Sequence, residues 1–555
     1  MAFFQAVALD LDGTIASQGN LSVKALDAID RVRRDGVVVI LATGRIATEL
    51  AADFPQLTDH FDALVLENGA VAVIGGTARA LAMPVDAALY DALTDRGVPH
   101  RRGQVLAAVD GEHAATVLAT IGELGLDCQL VRNRGSLMVL PAGVTKGTGL
   151  RAVLGEMNLS AHNTIAVGDA ENDLSLFGMA EVGAAVVNAL PSLRERADLV
   201  LDAEDGDGVA TLLNGPYLTG AQRICPERWW IDIGAFDDGS RVRIPGSQSR
   251  ILVRGPAGSG KSYLSGLMAE RWILTGYSVL VIDPEGDHGE LRNLNQVQVV
   301  DARHYFPQPI ELVNTFLHPN NSIVLDMSGL AQRDKSDYLR RLRTTVEAYR
   351  ERHGFPHWVI YDEAQLLGTD QAARWLRRAG YVLTSFAPAS LPTNEIDEAD
   401  IVLELDHTEA SGGMRTSMPP RALLRVGTKP ARSFTVADRR TTHVRHRHKY
   451  ADVSLPAERQ FYFRPVGGQH VAPATTMHDF AAALKHLDPH ALRYHLERGD
   501  FSRWLDSTIA DKNFARHVAA WEDELLAHEA ADLERIRHRL IQAVEERYSD
   551  PEGNC

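Results

Sequence analysis

Asp10 and Asp12 stand one residue apart at the end of the apolar run Val7-Ala8-Leu9, and they are the residues of this chain with the plainest chemical potential. In a buried parallel strand alternate side chains share a face. Both carboxylates therefore point the same way just past the strand's carboxyl end, where α/β folds place ligands. Gly13 then lets the backbone turn. Two carboxylates so close can hold one Mg²⁺, whose charge offsets their repulsion, leaving one to attack a phosphoryl group while the other handles the proton. A surface turn favoured by Asp-Gly is the plainer alternative. An EF-hand loop is excluded, because counting from Asp10 puts Ile15 and Leu21 at its glycine and glutamate positions.

The elements that must position these groups can be followed along the chain. Ser22 precedes a stretch to Val32 with apolar residues at helical spacing, a capped crossover helix. The continuous apolar run from Val37 to Ala42 closes on Thr43-Gly44-Arg45, whose hydroxyl and guanidinium suit phosphate oxygens. A third run, Ala63-Leu64-Val65-Leu66, ends on Glu67-Asn68-Gly69, and a fourth, Thr164-Ile165-Ala166-Val167, ends on Gly168-Asp169-Ala170-Glu171-Asn172-Asp173. Four buried parallel strands thus finish in polar clusters. Each cluster taken singly is also a common turn.

The ordered set, with Val144-Thr145-Lys146-Gly147 before the last motif, resembles the haloacid-dehalogenase-like phosphatases of the Cof-type branch over roughly residues 5 to 213. That resemblance implies a Rossmann-like core in which Asp10 is the nucleophile forming an aspartyl-phosphate and Asp12 the general acid, then base. Thr43 and Lys146 hold the transferring phosphoryl oxygens. Asp169 and Asp173 complete a Mg²⁺ shell with Asp10 and Asp12, and Gly44, Arg45, Asn68 and Asn172 are the candidate substrate contacts. The stretch between Gly69 and Lys146 reads as a small α+β insert over about 84–142, helical at 86–98 and 112–125 with strands at 105–109 and 128–131. It resembles the branch's short cap, whose substrates include phosphoglycolate, sugar phosphates and glycerate phosphates. Arg101, Arg102, Arg132 and Arg134 can reach an anionic substrate or form a solvated face. Residues 186 to 191 resemble the family's last strand and turn, and Asp207 its closing helix start.

A second site follows residues 214–249, which read as a Gly- and Pro-containing linker with short strands. Between the strand Arg250-Ile251-Leu252-Val253-Arg254 and a helical pattern lies Gly255-Pro256-Ala257-Gly258-Ser259-Gly260-Lys261-Ser262, the context of a phosphate cradle. Its glycines and Ser259 supply backbone N–H groups, Lys261 meets the β and γ phosphates, and Ser262 meets Mg²⁺. A late strand delivers Asp362-Glu363. Asp362 orders the Mg²⁺ water shell and Glu363 polarises the attacking water of ATP hydrolysis. With Val281-Ile282-Asp283-Pro284-Glu285-Gly286-Asp287, Asp362-Glu363-Ala364-Gln365 and Thr384-Ser385-Phe386-Ala387-Pro388, residues 245 to 435 resemble the HerA and FtsK group of motor ATPases. Such proteins work as rings completed by a neighbour's arginine, which implies a homo-oligomer and makes Arg374, Arg377 and Arg378 candidates. A large amino-terminal barrel of the HerA sort is lacking.

The organisation expected is 1–213 phosphatase, 214–249 linker, 250–440 P-loop ATPase, 441–475 basic linker and 476–555 helical module. The basic run 443–450 can contact nucleic-acid or ATP phosphates, or pack as a surface loop. The tail is predicted helical at 477–487, 489–498, 501–509 and 513–548, with Tyr494, His495, Phe501 and Trp504 as a small core. With 555 residues and 45 % hydrophobic and 23 % charged content, the chain is an ordinary multi-domain globular protein. A formal charge of −16 argues against general coating of nucleic acid. Cys128, Cys225 and Cys555 form no metal-ligand pair, and no apolar run reaches bilayer length, so a cytoplasmic setting without membrane contact is expected.

The combined reading is a Mg²⁺-dependent phosphatase of a small phosphorylated metabolite fused to an ATP-binding and hydrolysing domain. Two other readings stay open. One is a nucleic-acid end-processing or DNA-translocating protein, since the layout resembles the polynucleotide kinase-phosphatases. In the other, the second half only senses nucleotide.

Overall fold

The apolar runs become strands because they are apolar on both faces and covered by helices on both sides, the condition of a parallel sheet. The computed structural model describes residues 3–133, 135–256, 259–302, 305–316, 318–364, 378–385, 399–405, 420–441, 455, 457–464, 472–509, 511–527 and 533–548. In its first sheet Leu199–Val200, Val182–Ala185, Thr164–Gly168, Ala6–Leu9, Val38–Ala42 and Ala63–Leu66 lie side by side and parallel. The antiparallel pair Val71–Ile74 and Thr77–Ala80 completes eight strands. The helix Val23–Arg34 crosses over the sheet, its amino end capped by the Ser22 hydroxyl accepting from the Ala25 N–H, and it buries Ala25, Ala28, Ile29 and Val32. This is an α/β fold with a Rossmann-like core.

The insert folds as a four-stranded antiparallel sheet, Cys128–Asn133, Ser136–Pro141, Ala107–Asp110 and His100–Arg102, under the helices Ala87–Asp95 and Ala114–Leu124. It has an apolar core of its own, with Leu89, Leu93, Val117 and Val139 buried together. The edge of the core sheet differs from the sequence reading. Of the strand and turn expected at 186–191, the turn is there but the strand lies earlier, at Val182–Ala185, and Pro191 opens the short helix Pro191–Arg194, where its missing N–H costs nothing. The helix expected to begin at Asp207 begins at Asp205.

The second sheet has eleven strands. Ile401–Leu405, Arg250–Arg254, Tyr381–Ser385, Trp358–Tyr361, Val279–Asp283, Ser322–Asp326 and Val297–Asp301 run parallel. Four antiparallel strands extend one edge, and two of them come from the stretch read as a linker: Ile231–Phe236 and Arg241–Ile244. Ile231 and Ile233, like Val242 and Ile244, are buried while their neighbours are more exposed. This alternation belongs to antiparallel strands with one face on the core and the other toward solvent. The tail is a helical cluster around Phe461, Phe480, Phe501 and Trp504. Its last stretch is two helices, Lys512–Ala527 and Leu533–Tyr548, and Asp500–Trp504 passes into a π-turn at Leu505–Ile509. Among the described residues no helix is long and apolar enough to cross a membrane.

The two large sheets meet at the amino ends of their strands. His162, just ahead of Thr164–Gly168, stacks on Tyr277 at 3.7 Å between centroids. Its ring nitrogens reach Glu181 Oε2 at 2.7 Å and the Thr275 carbonyl at 3.0 Å. Glu181 is fully buried and accepts from the Ser247 and Tyr277 hydroxyls. Next to it, Asn163 Oδ1 meets His357 Nε2 at 3.1 Å, directly ahead of Trp358–Tyr361. Because the strands start at this junction, their carboxyl ends, which carry the functional groups, lie on the far sides of the two sheets.

Candidate active sites

In the first sheet, two neighbouring strands, Ala6–Leu9 and Thr164–Gly168, deliver their terminal groups to one point. Asp10, Asp169 and Asp173 are all buried and present ligand oxygens within 4.8 Å of one another. Lys146, the first residue of the helix Lys146–Glu156 and 1 % exposed, donates to Asp10 and, at 2.7 Å, to Asp173. The Thr145 side chain caps that helix and so fixes where the lysine starts. Asp173 Oδ2 also accepts the N–H groups of Asp169 and Ala170, holding the loop closed. Burial, and next to it Asp173, push the Asp10 carboxyl well above the ordinary carboxylate range, and Lys146 offsets only part of this. Burial alone would depress Lys146, but Asp10 and Asp173 hold its ammonium above its ordinary value. Three carboxylates against one ammonium leave negative charge in excess, and an all-oxygen donor set of this kind suits a hard divalent cation such as Mg²⁺.

Asp12 is not in that group. Its carboxylate is held by Arg45 in two hydrogen bonds of 2.8 Å, and Arg45 also reaches Asp53. Asp12, expected among the metal-binding residues, thus has its carboxylate turned to a planar guanidinium rather than to the three clustered aspartates. Thr43 is buried, with its hydroxyl accepting the Arg45 N–H at 3.2 Å. Asn68 Oδ1 accepts from Asn172 Nδ2 at 3.3 Å, which brings the motifs after the third and fourth strands together. Gly44 lies between Thr43 and Arg45 in the same loop. In the cap, Arg101 pairs with Glu49 and Arg102 lies over the Tyr90 ring, while Arg134 is outside the described residues.

In the second sheet, Gly255 and Gly260 both take φ values that favour glycine, +155° and +102°. A Cβ at Gly255 would sit 2.5 Å from the Leu405 carbonyl. Ser259 Oγ is buried without a hydrogen-bond partner. Lys261 opens the helix Lys261–Leu274 and donates to the Pro256 carbonyl at 3.0 Å. A glycine-permitted turn that ends in a lysine at a helix start suits a polyphosphate. Gly258 lies outside the described residues.

Asp362, beyond the end of Trp358–Tyr361, is met by Ser262, by the Thr384 hydroxyl and by His288 Nε2 at 2.9 Å. Burial would raise its carboxyl, but hydrogen bonds from His288, Thr384 and Ser262 bring it down to about 2. Glu363 takes a φ of +54° and donates its N–H to Thr384 Oγ1 at 3.0 Å, so one threonine holds both acidic residues. His288 and Thr384 were not identified as site residues from sequence. Asp283 places the histidine by accepting the N–H groups of Gly286, Asp287 and His288. Burial pushes Asp283 up to about 7. Arg378 is paired with Glu351 of the helix Gln332–His353, whereas Arg374, Arg377, Gln365, residues 386–388 and the basic run 443–450 lie outside the described residues.

Comparison with known proteins matches these two halves separately. Residues 7–88 and 108–213 fit the family model of haloacid dehalogenase-like hydrolases, and residues 233–372 that of the helicase HerA central domain. A phosphoglycolate phosphatase of Archaeoglobus fulgidus is 30 % identical over 227 residues, covering 38 % of this chain and 95 % of that relative. One from Haloarcula marismortui is 34 % identical over 218 residues, covering 36 % and 92 %. A solved haloacid dehalogenase-like hydrolase from Bacteroides thetaiotaomicron is 20 % identical, with a TM-score of 0.34, over 38 % of this chain and 98 % of that one. Each of these three matches takes in little over a third of the chain.

Proposed function

This chain belongs to the haloacid dehalogenase-like hydrolases, and from that premise we propose that residues 1–213 hydrolyse a small phosphomonoester with Mg²⁺ through a phosphate carried on Asp10. The observation that carries the reading is the meeting of Asp10, Asp169, Asp173 and Lys146 in one buried cluster at neighbouring strand ends. Thr43 and Lys146 hold the phosphoryl oxygens. An Asp10 oxygen bonds to phosphorus as the bond to the leaving oxygen breaks, and Asp12, drawn off Arg45, gives that oxygen its proton. Asp12 then takes a proton from the water that cleaves the aspartyl-phosphate and releases phosphate. Asp10, Asp169 and Asp173 would hold Mg²⁺, which supplies positive charge against the phosphoryl oxygens. Gly44, Arg45, Asn68 and Asn172 line the approach for the rest of the substrate. The names of the relatives favour phosphoglycolate over a sugar phosphate.

The second half, from residue 231 to 440, binds and hydrolyses ATP. Gly255, Gly258, Ser259 and Gly260 cradle the phosphates with Lys261, Ser262 and Asp362 serve the Mg²⁺ that accompanies ATP, and Glu363 polarises water. Its match to the helicase HerA central domain supports a second reading, in which the chain processes or moves along DNA as a homo-oligomer. Phosphate release from 2-phosphoglycolate, sugar phosphates and a 5′-phosphorylated oligonucleotide, with Mg²⁺ and with or without ATP, separates the two. Fastest turnover of phosphoglycolate supports a metabolic phosphatase with an ATP-responsive partner. Fastest turnover of the oligonucleotide moves the whole chain to nucleic-acid processing.

A further inference from the structure

Glu67 opens the Glu-Asn-Gly motif, yet the proposed chemistry uses only its neighbour Asn68. Glu67 is buried at 2 % exposure, and its carboxylate faces the cap. Oε1 accepts the Gln104 N–H at 2.7 Å, and Oε2 accepts those of Val105 at 2.8 Å and Leu106 at 3.0 Å. The cap turn that supplies them is closed by the Gly103 N–H on the Leu106 carbonyl, and a Cβ at Gly103 would fall 2.5 Å from Glu67 Oε2. The main chain of the same motif faces the other way. The Glu67 N–H donates to the Arg45 carbonyl at 3.1 Å and the Asn68 N–H to the Thr43 carbonyl at 3.0 Å. Glu67, Asn68 and Gly69 hold φ values of +52°, +56° and +105°, a left-handed run that persists only where neighbours over-determine it.

The cap joins the core by two chain crossings, and two crossings define a hinge axis without setting the angle about it. A third fixed point sets the angle. Val105, Leu106, Met138 and Leu140 pack into the core's apolar cluster, but such packing is non-directional, and the Arg101–Glu49 pair is exposed and long at 3.3 Å. We propose that Glu67 is a positioning residue that pins the cap to the Thr43–Arg45 loop and so holds the substrate group chosen by the cap in register with the phosphoryl site. The proposal rests on the phosphatase reading of residues 1–213. Misregister of about 1 Å costs on the order of 100-fold in rate when the bound geometry must match the reacting atoms. A substrate too small to touch the cap escapes that loss.

Two variants reach the contact from opposite sides: Glu67→Gln removes an acceptor and sets an amide against N–H donors, and Gly103→Ala places a methyl on the carboxylate. In the full chain, each is expected to lower kcat/KM for 2-phosphoglycolate by roughly 10–100-fold while changing acetyl phosphate hydrolysis by less than about threefold. The double variant is expected to fall little further than either single one. Amide exchange of Gln104–Leu106 is expected to quicken in Glu67→Gln with the strand Ser136–Pro141 still protected. Equal losses on both substrates, additive losses, or lost protection across the whole cap sheet would overturn the pin. A wild-type chain that hydrolyses neither substrate would remove the phosphatase reading itself, and this inference with it.

Discussion

The two sites use the same parts to opposite ends. Each places a lysine at the first residue of a helix and a buried aspartate beyond a parallel strand. In the first, the lysine bridges Asp10 and Asp173, so the aspartate proposed to attack is balanced by a charge that can follow it. In the second, Lys261 rests on a loop carbonyl, and Asp362 is fixed by an imidazole and two hydroxyls. A nucleophile needs a partner able to share it with an incoming phosphoryl group. A carboxylate that only orders water and metal needs to be held still. The difference in partners matches the different tasks proposed for the two sites.

The strongest break in this comparison is a crossed pair of variants. Asp10→Asn is expected to cut phosphomonoester turnover by at least about 10⁴-fold with ATP hydrolysis intact, since the nucleophile has no substitute. Lys261→Ala is expected to do the converse, by about 10²–10³-fold. Parallel loss of both activities in either variant, measured as phosphate release from each substrate, would show that the sites are not separate. A smaller effect sharpens the second site. Thr384→Val removes the hydroxyl shared by Asp362 and Glu363 and is expected to slow ATP hydrolysis about tenfold, leaving phosphoglycolate turnover unchanged. An unchanged ATPase rate would mean that His288 and Ser262 suffice.

The smallest expected effect lies in the helical tail and serves as a control that touches neither site. Burial raises the Glu522 carboxyl from 4.5 to about 7, against the hydrogen bond from the Ser502 N–H. The folded state thus binds this proton more tightly than the unfolded chain. Its contribution is fully present below about pH 4.5 and is lost as pH rises through about 7. Glu522→Gln is expected to stabilise the tail by about 2 kcal/mol at pH 8 and to flatten its thermal-melting profile between pH 5 and 8. A profile as steep as that of the parent chain would assign the pH dependence to another group.

The core strands were legible because a parallel strand covered on both sides must be apolar throughout, and each run from Ala6 to Val167 ended on groups that a buried interior rejects. The direction of side chains past the strand ends was not legible. Nothing in Asp10-Leu11-Asp12 shows that the first carboxylate turns to Lys146 and the second to Arg45, 33 positions on. His288 had a local signal, the histidine closing Asp-Pro-Glu-Gly-Asp, but its target lies 74 residues away. The strands Ile231–Phe236 and Arg241–Ile244 were expected as short strands of a linker, and their membership of the second sheet was not legible because four to six residues carry no mark of which neighbour they pair with.

The junction between the sheets carries a consequence for synthesis. His162, Asn163 and Glu181 leave the ribosome well before their partners, and Asn163 and His357 are 194 residues apart. At 5–20 residues per second, roughly 10–40 s pass before Asn163 can meet His357. The first half is thus synthesised with polar groups whose remaining partners lie in the second half, and chain order sets which half waits.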